Sequence, residues 1–439
     1  MKYQFLWTPL IILLALFGAA NSGQASKIYI DIDSPTFLQF PIAVRDFPQK
    51  GEGQVETADL GIALPDQIKK YLKMTGLFNP LDRRSFLETG GASPAEQIRF
   101  SDWAAIGADY LLTGAITISP SEIACEVRLS DVVRGNALLH KRYLSPRPDL
   151  RALARAVTSD ILLTLTGDEG DFNTRIAFVA KNGPEADIHA ISYDGEDIVK
   201  LTSHRSIITS PRWSPDGQYL AFTSYRHGRP EVYLHHLKTG KEKRISSHEG
   251  LNLSGGFSPD SRNLLLTLSK DSNEEIYVLE LDSMRLKRLT YNYSIDVSPA
   301  WSPCGKKIAF VSNRSGSPQI FIMDADGNNV RRITFEGNYN TSPAWSPRGG
   351  KIAFEGSINR QFQIFTVDEE GEHLTQLTFD DANNEYPSWS PSGRQIVYGS
   401  RSGSKSRICI IGSNGQQMRI LKESGSPSVM PAWSPRMNP

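Results

Sequence analysis

The sequence predicts an α/β amino-terminal domain followed by an all-β six-bladed β-propeller of 44-residue repeats. Three observations carry this. A motif of the Pro-Ala-Trp-Ser-Pro kind puts an aromatic at Trp213, Phe257, Trp301, Trp345, Trp389 and Trp433, in steps of 44 residues. A short apolar run opens at Ile176, Leu220, Leu264, Ile308, Ile352 and Ile396, again in steps of 44. A hydroxyl residue closes the unit at Thr202, Ser246, Thr290, Thr334 and Thr378. A fixed period marks an array of identical supersecondary units, and four strands in about 44 residues is the length of a propeller blade. Helical repeats need shorter periods and helical spacing, and neither is present.

Residues 1–25 read as a secretory signal peptide. Lys2 is the only charge before Lys27, Phe5 to Ala20 is almost continuously apolar, and small residues follow at Gly23 and Ala25. A charged start, an apolar run and a small-residue cleavage site form that signature. Cleavage is expected after Ala25, with Ala20 as second choice. The alternative is an uncleaved anchor, but the run is short for a bilayer span of about 20 residues. No other segment is apolar enough to span, so an exported, soluble product is expected.

Residues 26–166 show no repeat and predict a mixed α/β domain. Lys27 to Ile32 alternates, with Ile28, Ile30 and Ile32 on one face and Lys27, Tyr29 and Asp31 on the other. Ile42 and Val44 suggest a strand. Leu60, Leu64, Ile68, Tyr71 and Leu72 follow helical spacing, with Gly76 as the carboxyl-terminal cap. Pro65 either opens this helix as its first residue or kinks it. Tyr110 to Ile118 and Ile123 to Leu129 read as strands. Asp149 to Thr166 reads as an amphipathic helix through Leu150, Leu153, Ala154, Val157, Ile161 and Leu165, ended by Gly167. Residues 167–173, polar and glycine-containing, predict a linker.

Residues 174–439 are the propeller. In one unit Pro299-Ala300-Trp301 is extended and Ser302-Pro303-Cys304-Gly305 is a turn. Lys307 to Ser312 and Gln319 to Asp324 are strands, Asp326-Gly327 is a hairpin turn, and Val330 to Thr334 is the last strand. The first unit begins at Ile176 with no Trp-Ser-Pro before it, and after Trp433-Ser434-Pro435 only Arg436 to Pro439 remain. From Ile176 to Pro439 there are 264 residues, six times 44. The carboxyl-terminal strand therefore completes the first blade and leaves no open sheet end.

Lys+Arg and Asp+Glu are both 48, so no basic surplus exists for a nucleic-acid footprint. With 39% hydrophobic and 22% charged residues the chain can bury real cores. Cys125, Cys304 and Cys409 cannot form a disulfide framework, and no metal spacing involves them. There is no Gly-x-Ser-x-Gly, His-Glu-x-x-His or phosphate-binding loop; the nearest to the first, Gly91-Ala92-Ser93-Pro94-Ala95, lacks the strand and helix of a nucleophile elbow. Asp324-Ala325-Asp326-Gly327 lacks the later acids of a calcium loop. His227, His235, His236 and His248 fall in one blade, but adjacent His235 and His236 point to opposite faces of a strand, so packed or solvated histidines are expected.

One face has character. Five residues before each aromatic lie Ile208, Asn252, Asp296, Asn340, Asn384 and Ser428. Loops opening on the same face carry Lys181, Arg226, Lys270, Arg314 and Arg401. A ring of amides and one acid around the channel mouth, with basic residues outside it, predicts a docking surface for an acidic protein patch.

Together these segments resemble the TolB family, periplasmic propeller proteins of the Tol-Pal system of Gram-negative bacteria. The carrying residues are Lys27-Ile28-Tyr29-Ile30-Asp31, Phe78-Asn79-Pro80-Leu81-Asp82-Arg83, Thr174-Arg175-Ile176-Ala177-Phe178 and Pro431-Ala432-Trp433-Ser434-Pro435. The resemblance implies a non-enzymatic scaffold without cofactor or metal. It implies binding of the lipoprotein Pal, placed here on the face of Asn252, Asp296, Asn340, Asn384, Ser428, Arg226, Lys270 and Arg314. It also implies contact of Ser26-Lys27-Ile28-Tyr29-Ile30-Asp31-Ile32 with TolA, and possible contact with other outer-membrane proteins, in keeping the outer membrane intact and invaginating during division. Cys304, Arg348 and Ser392 depart from the family by replacing the Asp of the Trp-Ser-Pro-Asp-Gly turn. The alternative is a secreted propeller enzyme, a lactonase or glycan hydrolase with its site in the channel. That needs converging acids on the inner strands, where Asp296 is the only acid among the six ring positions.

Overall fold

The computed structural model describes residues 38–50, 59–86, 98–119, 122–145 and 149–437. The expected signal peptide, the segment 26–32 and Gly91 to Ala95 lie outside them. In the amino-terminal part, β1 (Phe40–Val44) and β2 (Gln49–Lys50) precede helix α1 (Leu60–Met74) and β3 (Phe78–Pro80). Helix α2 (Phe100–Ala105), strands β4 (Tyr110–Ile118), β5 (Ile123–Asp131) and β6 (Asn136–Ser145), and helix α3 (Leu150–Thr166) follow. The sheet runs β3-β1-β4-β5-β6, parallel from β3 to β4 and antiparallel beyond, and β2 also pairs with β4. Alternation sends Ile42 and Val44 into the main core against α1 and α3, and Ala43 into a smaller cluster with Trp103 and Leu111.

Helix α1 starts at Leu60, where Asp59 caps it through the Gly61 N–H at 3.0 Å. Pro65 therefore lies inside the helix, neither its first residue nor its end. Its missing N–H would orphan the Gly61 carbonyl. The Phe47 N–H takes that carbonyl at 2.8 Å, so the ladder gap becomes the tie to the preceding loop. Gly61 is needed for the approach, since a Cβ there would lie 2.3 Å from the Phe47 carbonyl oxygen. Gly76 (φ 75°) and Gly167 (φ 74°) take the left-handed conformation just past α1 and α3, as the spacing predicts.

The propeller has six four-stranded sheets. Blade 1 orders Ser428–Trp433, Arg175–Asn182, Glu185–Ser192 and Ile198–Lys200, so the chain end supplies its innermost strand. Blades 2 to 6 start at Ile208–Trp213, Asn252–Phe257, Asp296–Trp301, Asn340–Trp345 and Asn383–Trp389. Each innermost strand touches those of both neighbours, which closes the ring around a central channel. Every innermost strand breaks register once. At the break Ser210, Ser298, Ser342, Tyr386 and Met430 have φ of 53–58°, each just before a proline. Blade 3 has Ser254-Gly255 instead, and a Cβ on Gly255 would lie 2.8 Å from the Leu265 carbonyl oxygen.

The recurrent aromatics pack between blades. Trp213 donates its indole N–H to the Ala432 carbonyl at 2.9 Å, and Trp389 to the Ala344 carbonyl at 3.0 Å. Trp433 donates to the Thr174 hydroxyl at 2.9 Å. Trp433→Ala is expected to cost about 3–5 kcal/mol, and removal of residues 428–439 to lower the melting temperature sharply in calorimetry. Coincident melting of the truncated and full chains would contradict closure by this strand.

Candidate functional site

The propeller has two faces. On the turn face lie the Trp-Ser-Pro turns and the hairpins between third and fourth strands. On the loop face lie the connections between blades and between second and third strands.

The α/β part sits on the turn face. Gln395 donates to the Met74 carbonyl at 2.9 Å, as does the Tyr193 hydroxyl at 2.9 Å. Arg151 of α3 holds Asp194 with Nη2 at 2.7 and 2.9 Å and Asp197 with Nη1 at 2.8 Å. Tyr71 donates to Asp194 at 2.6 Å. Burial opposes the charge on Asp194, but donation by Ser192, Tyr71 and Arg151 overrides it and holds the carboxyl well below its ordinary range. One apolar core crosses the joint, through Ile68, Tyr71, Leu162, Phe172, Tyr193, Val397 and Trp433.

The stretch 167–173 is part of this joint. Asp168 pairs with Arg348 and Arg394. Asp171 is buried and accepts from the Ser392 N–H at 3.1 Å, the Ser392 hydroxyl and Arg436 Nη2 at 3.3 Å. Phe172 packs edge-on against Tyr71 and Tyr193, with ring centroids 5.4 and 5.6 Å away. The Asp of the repeated turn caps its own turn in blade 2, where Asp216 accepts the Gln218 N–H at 3.0 Å. In blades 5, 6 and 1 that position is Arg348, Ser392 and Arg436, and all three hold residues 168–171. The departures from the repeat are the signal for this joint. Cys304 departs without touching it and meets only its own turn, with Ser302 at 3.4 Å.

On the loop face the structure alters the expected ring. Asn252, Asp296, Asn340, Asn384 and Ser428 are all buried. Asn252 accepts from the Ser246 hydroxyl at 2.7 Å and the His248 N–H at 3.0 Å. Asn340 donates to Gln319 and to the Glu336 carbonyl, both at 2.8 Å, and Asn384 donates to Gln363 at 3.1 Å and Asp380 at 2.6 Å. Thr334 and Thr378 donate to the same glutamines at 2.7 and 2.6 Å. The amides therefore fasten blades 3, 5 and 6 to the blade before them, with their side chains turned into the protein. Ser428 meets Ser424 at 3.2 Å.

Three of the basic residues are engaged as well. Arg314 pairs with Asp296 at 2.7 Å, Arg226 with Glu242 at 3.0 Å while lying 4.0 Å over the Tyr233 ring, and Lys270 with Asp271 at 2.7 Å. Burial pushes the Asp296 carboxyl up even with Arg314 beside it. His227 meets Glu231 at 2.7 Å and His235 meets Glu242 at 3.3 Å, so both are packed against acids. Among the described residues one group, Asp368, Glu372 and His373, brings three metal-capable side chains together. It is a hairpin in which Asp368 already accepts from the Glu372 N–H and the His373 ring.

The loop face exposes an aromatic arc instead. Tyr291, Phe335 and Phe379 are 75%, 66% and 77% exposed, one on each of three successive blades and 44 residues apart. Arg288 and Arg332 lie 4.6 and 5.2 Å over the first two rings. Tyr293, Ile295 and Tyr339 extend the arc and are exposed. Beside Phe335 a pocket of about 150 Å³ opens between Gly337, Asn340, Ile358 and Leu374. The signal missed in the sequence is the aromatic directly after Thr290, Thr334 and Thr378.

The inner strands of blades 4 and 5 carry small residues at Ser298, Ala300, Ser342 and Ala344. Glu355, on the second strand of blade 5, is an acid buried against the inner strand of blade 6. It accepts the Tyr386 N–H, and burial pushes its carboxyl from 4.5 up to about 7. The thiols of Cys125 and Cys409 are pushed by burial up to about 12 and about 11, which leaves them inert.

Fold and joint define a class: a six-bladed propeller with an α/β domain clamped to its turn face. A profile of the TolB beta propeller domain matches residues 163–437, and one of the TolB amino-terminal domain matches residues 28–138. The chain belongs to the TolB family. It is 48% identical over 216 residues to the Tol-Pal system protein TolB of Syntrophus aciditrophicus, covering 47% of each chain. It is 37% identical over 233 residues to that of Desulfosudis oleivorans, covering 52% of each. These matches span about half the length of the curated relatives. A crystal structure of TolB from Acinetobacter baumannii superposes with a TM-score of 0.79 at 30% identity, covering 91% of this chain and 97% of that one.

Asn340→Ala is expected to lower stability by about 1–3 kcal/mol, the cost of unsatisfied buried polar groups; chemical denaturation with unchanged stability would contradict its fastening role. For Glu355 the folded-state pKa is raised, so the wild type should lose stability as pH rises from 4.5 to about 7. Glu355→Gln should match it near pH 4 and exceed it above pH 8, by on the order of 3 kcal/mol. Parallel melting curves of the two at all pH values would contradict this.

Proposed function

We propose that the chain is a non-enzymatic periplasmic scaffold of the Tol-Pal system, linking Pal and TolA to keep the outer membrane intact and invaginating during cell division. The observation that supports this most is the superposition on the Acinetobacter baumannii TolB across both parts of the chain. Of the six ring positions only Asp296 is an acid, and it is buried and paired with Arg314, which favours a scaffold over a channel enzyme. No helix among the described residues is long and apolar enough to cross a membrane.

In this reading the two faces divide the work. The turn face is occupied by the α/β part, which leaves the loop face for Pal. The contact residues are the exposed Tyr291, Tyr293, Phe335 and Phe379, since aromatic anchors supply most of the energy in such interfaces. The buried ring of Asn252, Asp296, Asn340, Asn384 and Ser428 shapes that face from beneath. TolA takes Ser26 to Ile32 as an extended peptide that adds a strand to its own sheet.

Calorimetry with purified Pal tests the first arm. Tyr293→Ser with Phe335→Ser should weaken binding at least about tenfold and leave the circular dichroism spectrum unchanged; wild-type affinity would move the site elsewhere. Deleting residues 26–32 should abolish capture by TolA and spare Pal binding, and full TolA capture would make that segment purely structural.

A further inference from the structure

Blade 5 leaves out a cation that blades 2, 3 and 4 supply from their own loops. Arg226, Lys270 and Arg314 recur in steps of 44 residues. Each lies over an aromatic ring of its blade: Arg226 4.0 Å from the centre of Tyr233, Lys270 5.3 Å from that of Tyr277, and Arg314 5.1 Å from that of Phe321. The next residue in this phase is Ile358, which is 40% exposed and brings no charge. The rings are nonetheless in place in blade 5, where Phe354 and Phe365 stack with centroids 5.5 Å apart and planes 20° apart.

Two further positions change with it. Arg314 donates to Asp296 at 2.7 Å and to the Ser312 hydroxyl at 2.9 Å. The matching residues of blade 5 are Asn340 and Gly356. The pocket of about 150 Å³ lies at this point, and its wall includes Phe354, Phe365, Gly356, Ile358 and Asn340. Asn340 is only 3% exposed, and its Nδ2 donates to Gln319 and to the Glu336 carbonyl, both at 2.8 Å, which fixes the amide. Its Oδ1 is turned to the pocket: a Cβ on Gly356 would lie 2.8 Å from that oxygen, and one on Gly337 3.7 Å. The same oxygen of Asn252 accepts from Ser246 and His248, whereas Oδ1 of Asn340 accepts no hydrogen bond among the described residues. A buried acceptor left unpaired is costly. Glu336 lines the pocket from an exposed position and forms no ion pair among the described residues.

We propose that this pocket receives the guanidinium of an arginine on a protein partner, in the place that Arg314 fills from within blade 4. A planar guanidinium can lie on the Phe354 and Phe365 rings, donate to Asn340 Oδ1 and reach the Glu336 carboxylate. The pocket opens beside the exposed Phe335, so a side chain carried on a protein surface can enter it. The inference rests on the reading of the loop face as a protein docking surface for its source, and on blade 4 for its chemistry.

The test is an NMR titration of the full chain with a capped Gly-Arg-Gly peptide and with its citrulline counterpart, in which a neutral urea replaces the guanidinium. The arginine peptide should shift the Gly337 and Gly356 amides saturably, and the citrulline peptide should bind at least about tenfold more weakly. Ile358→Arg, which supplies the cation from the chain itself as blade 4 does, should abolish the response, and Glu336→Gln should weaken it with an unchanged circular dichroism spectrum. Absence of a saturable shift in the wild type, equal binding of the two peptides, an undiminished response in a folded Ile358→Arg, or full binding by Glu336→Gln would overturn the site. None of these readouts involves Pal, so failure of the pocket and failure of Pal docking on the aromatic arc are told apart.

Discussion

Everything in this chain depends on the pairing of Ser428–Trp433 with Arg175–Asn182. A ring of blades has no stable partial form, because an open ring exposes the edges of two apolar sheets. Here the two ends of the propeller meet in one blade, so the last strand to be made completes the first. The same strand also bears on the other domain. Trp433 reaches Thr174 with its indole and lies 6.1 Å from the Tyr193 ring, and Ser434 accepts the Arg175 N–H at 2.9 Å. Closing the ring thus also builds the floor on which α1, α3 and residues 168–172 rest.

A repeat specifies a fold, and departures from it specify a use. In blades 5 and 6 the turn aspartate is dispensable to the turn, because Ser-Pro and the left-handed Gly349 and Gly393 already fix its path. It is therefore free to change where a neighbour needs something else. Arg348, Ser392 and Arg436 change it on three adjacent blades, and on those blades the chain between the two domains is seated. Asp168 and Asp171 supply the matching charges. The joint is polar at its rim and apolar at its centre, where Phe172 bridges Tyr71 and Tyr193. The loop face shows the same logic on the outside. Three blades carry an exposed ring after the closing threonine, and the remaining blades carry Ser203, Ser247 or Glu423 there.

The architecture was legible because period, phase and strand alternation are properties of the sequence itself. The blade count and the closing strand needed no further information, and the helices through Leu64 and Val157 showed their buried faces by spacing alone. The ring of amides was legible as a pattern and misleading as a surface. Position in a loop says nothing of which way a side chain turns, and Asn340 turns inward to satisfy Gln319. Pro65 was ambiguous because the partner that rescues its helix, the Phe47 N–H, comes from a different segment. Strand β6 escaped notice because most of its side chains are exposed and blur the alternation. Residues 167–173 looked like a linker because polar composition is common to linkers and to ion-paired joints.

The claim that the chain end closes the ring is tested most directly by native-state hydrogen exchange resolved to single strands. In a closed ring all blades open together, so the amides shared by Ser428–Trp433 and Arg175–Asn182 should be protected as strongly as those shared by Asp296–Trp301 and Lys307–Ser312 in blade 4. Markedly faster exchange confined to blade 1 would show that its inner strand detaches by itself, and that the ring is held by something other than its last strand.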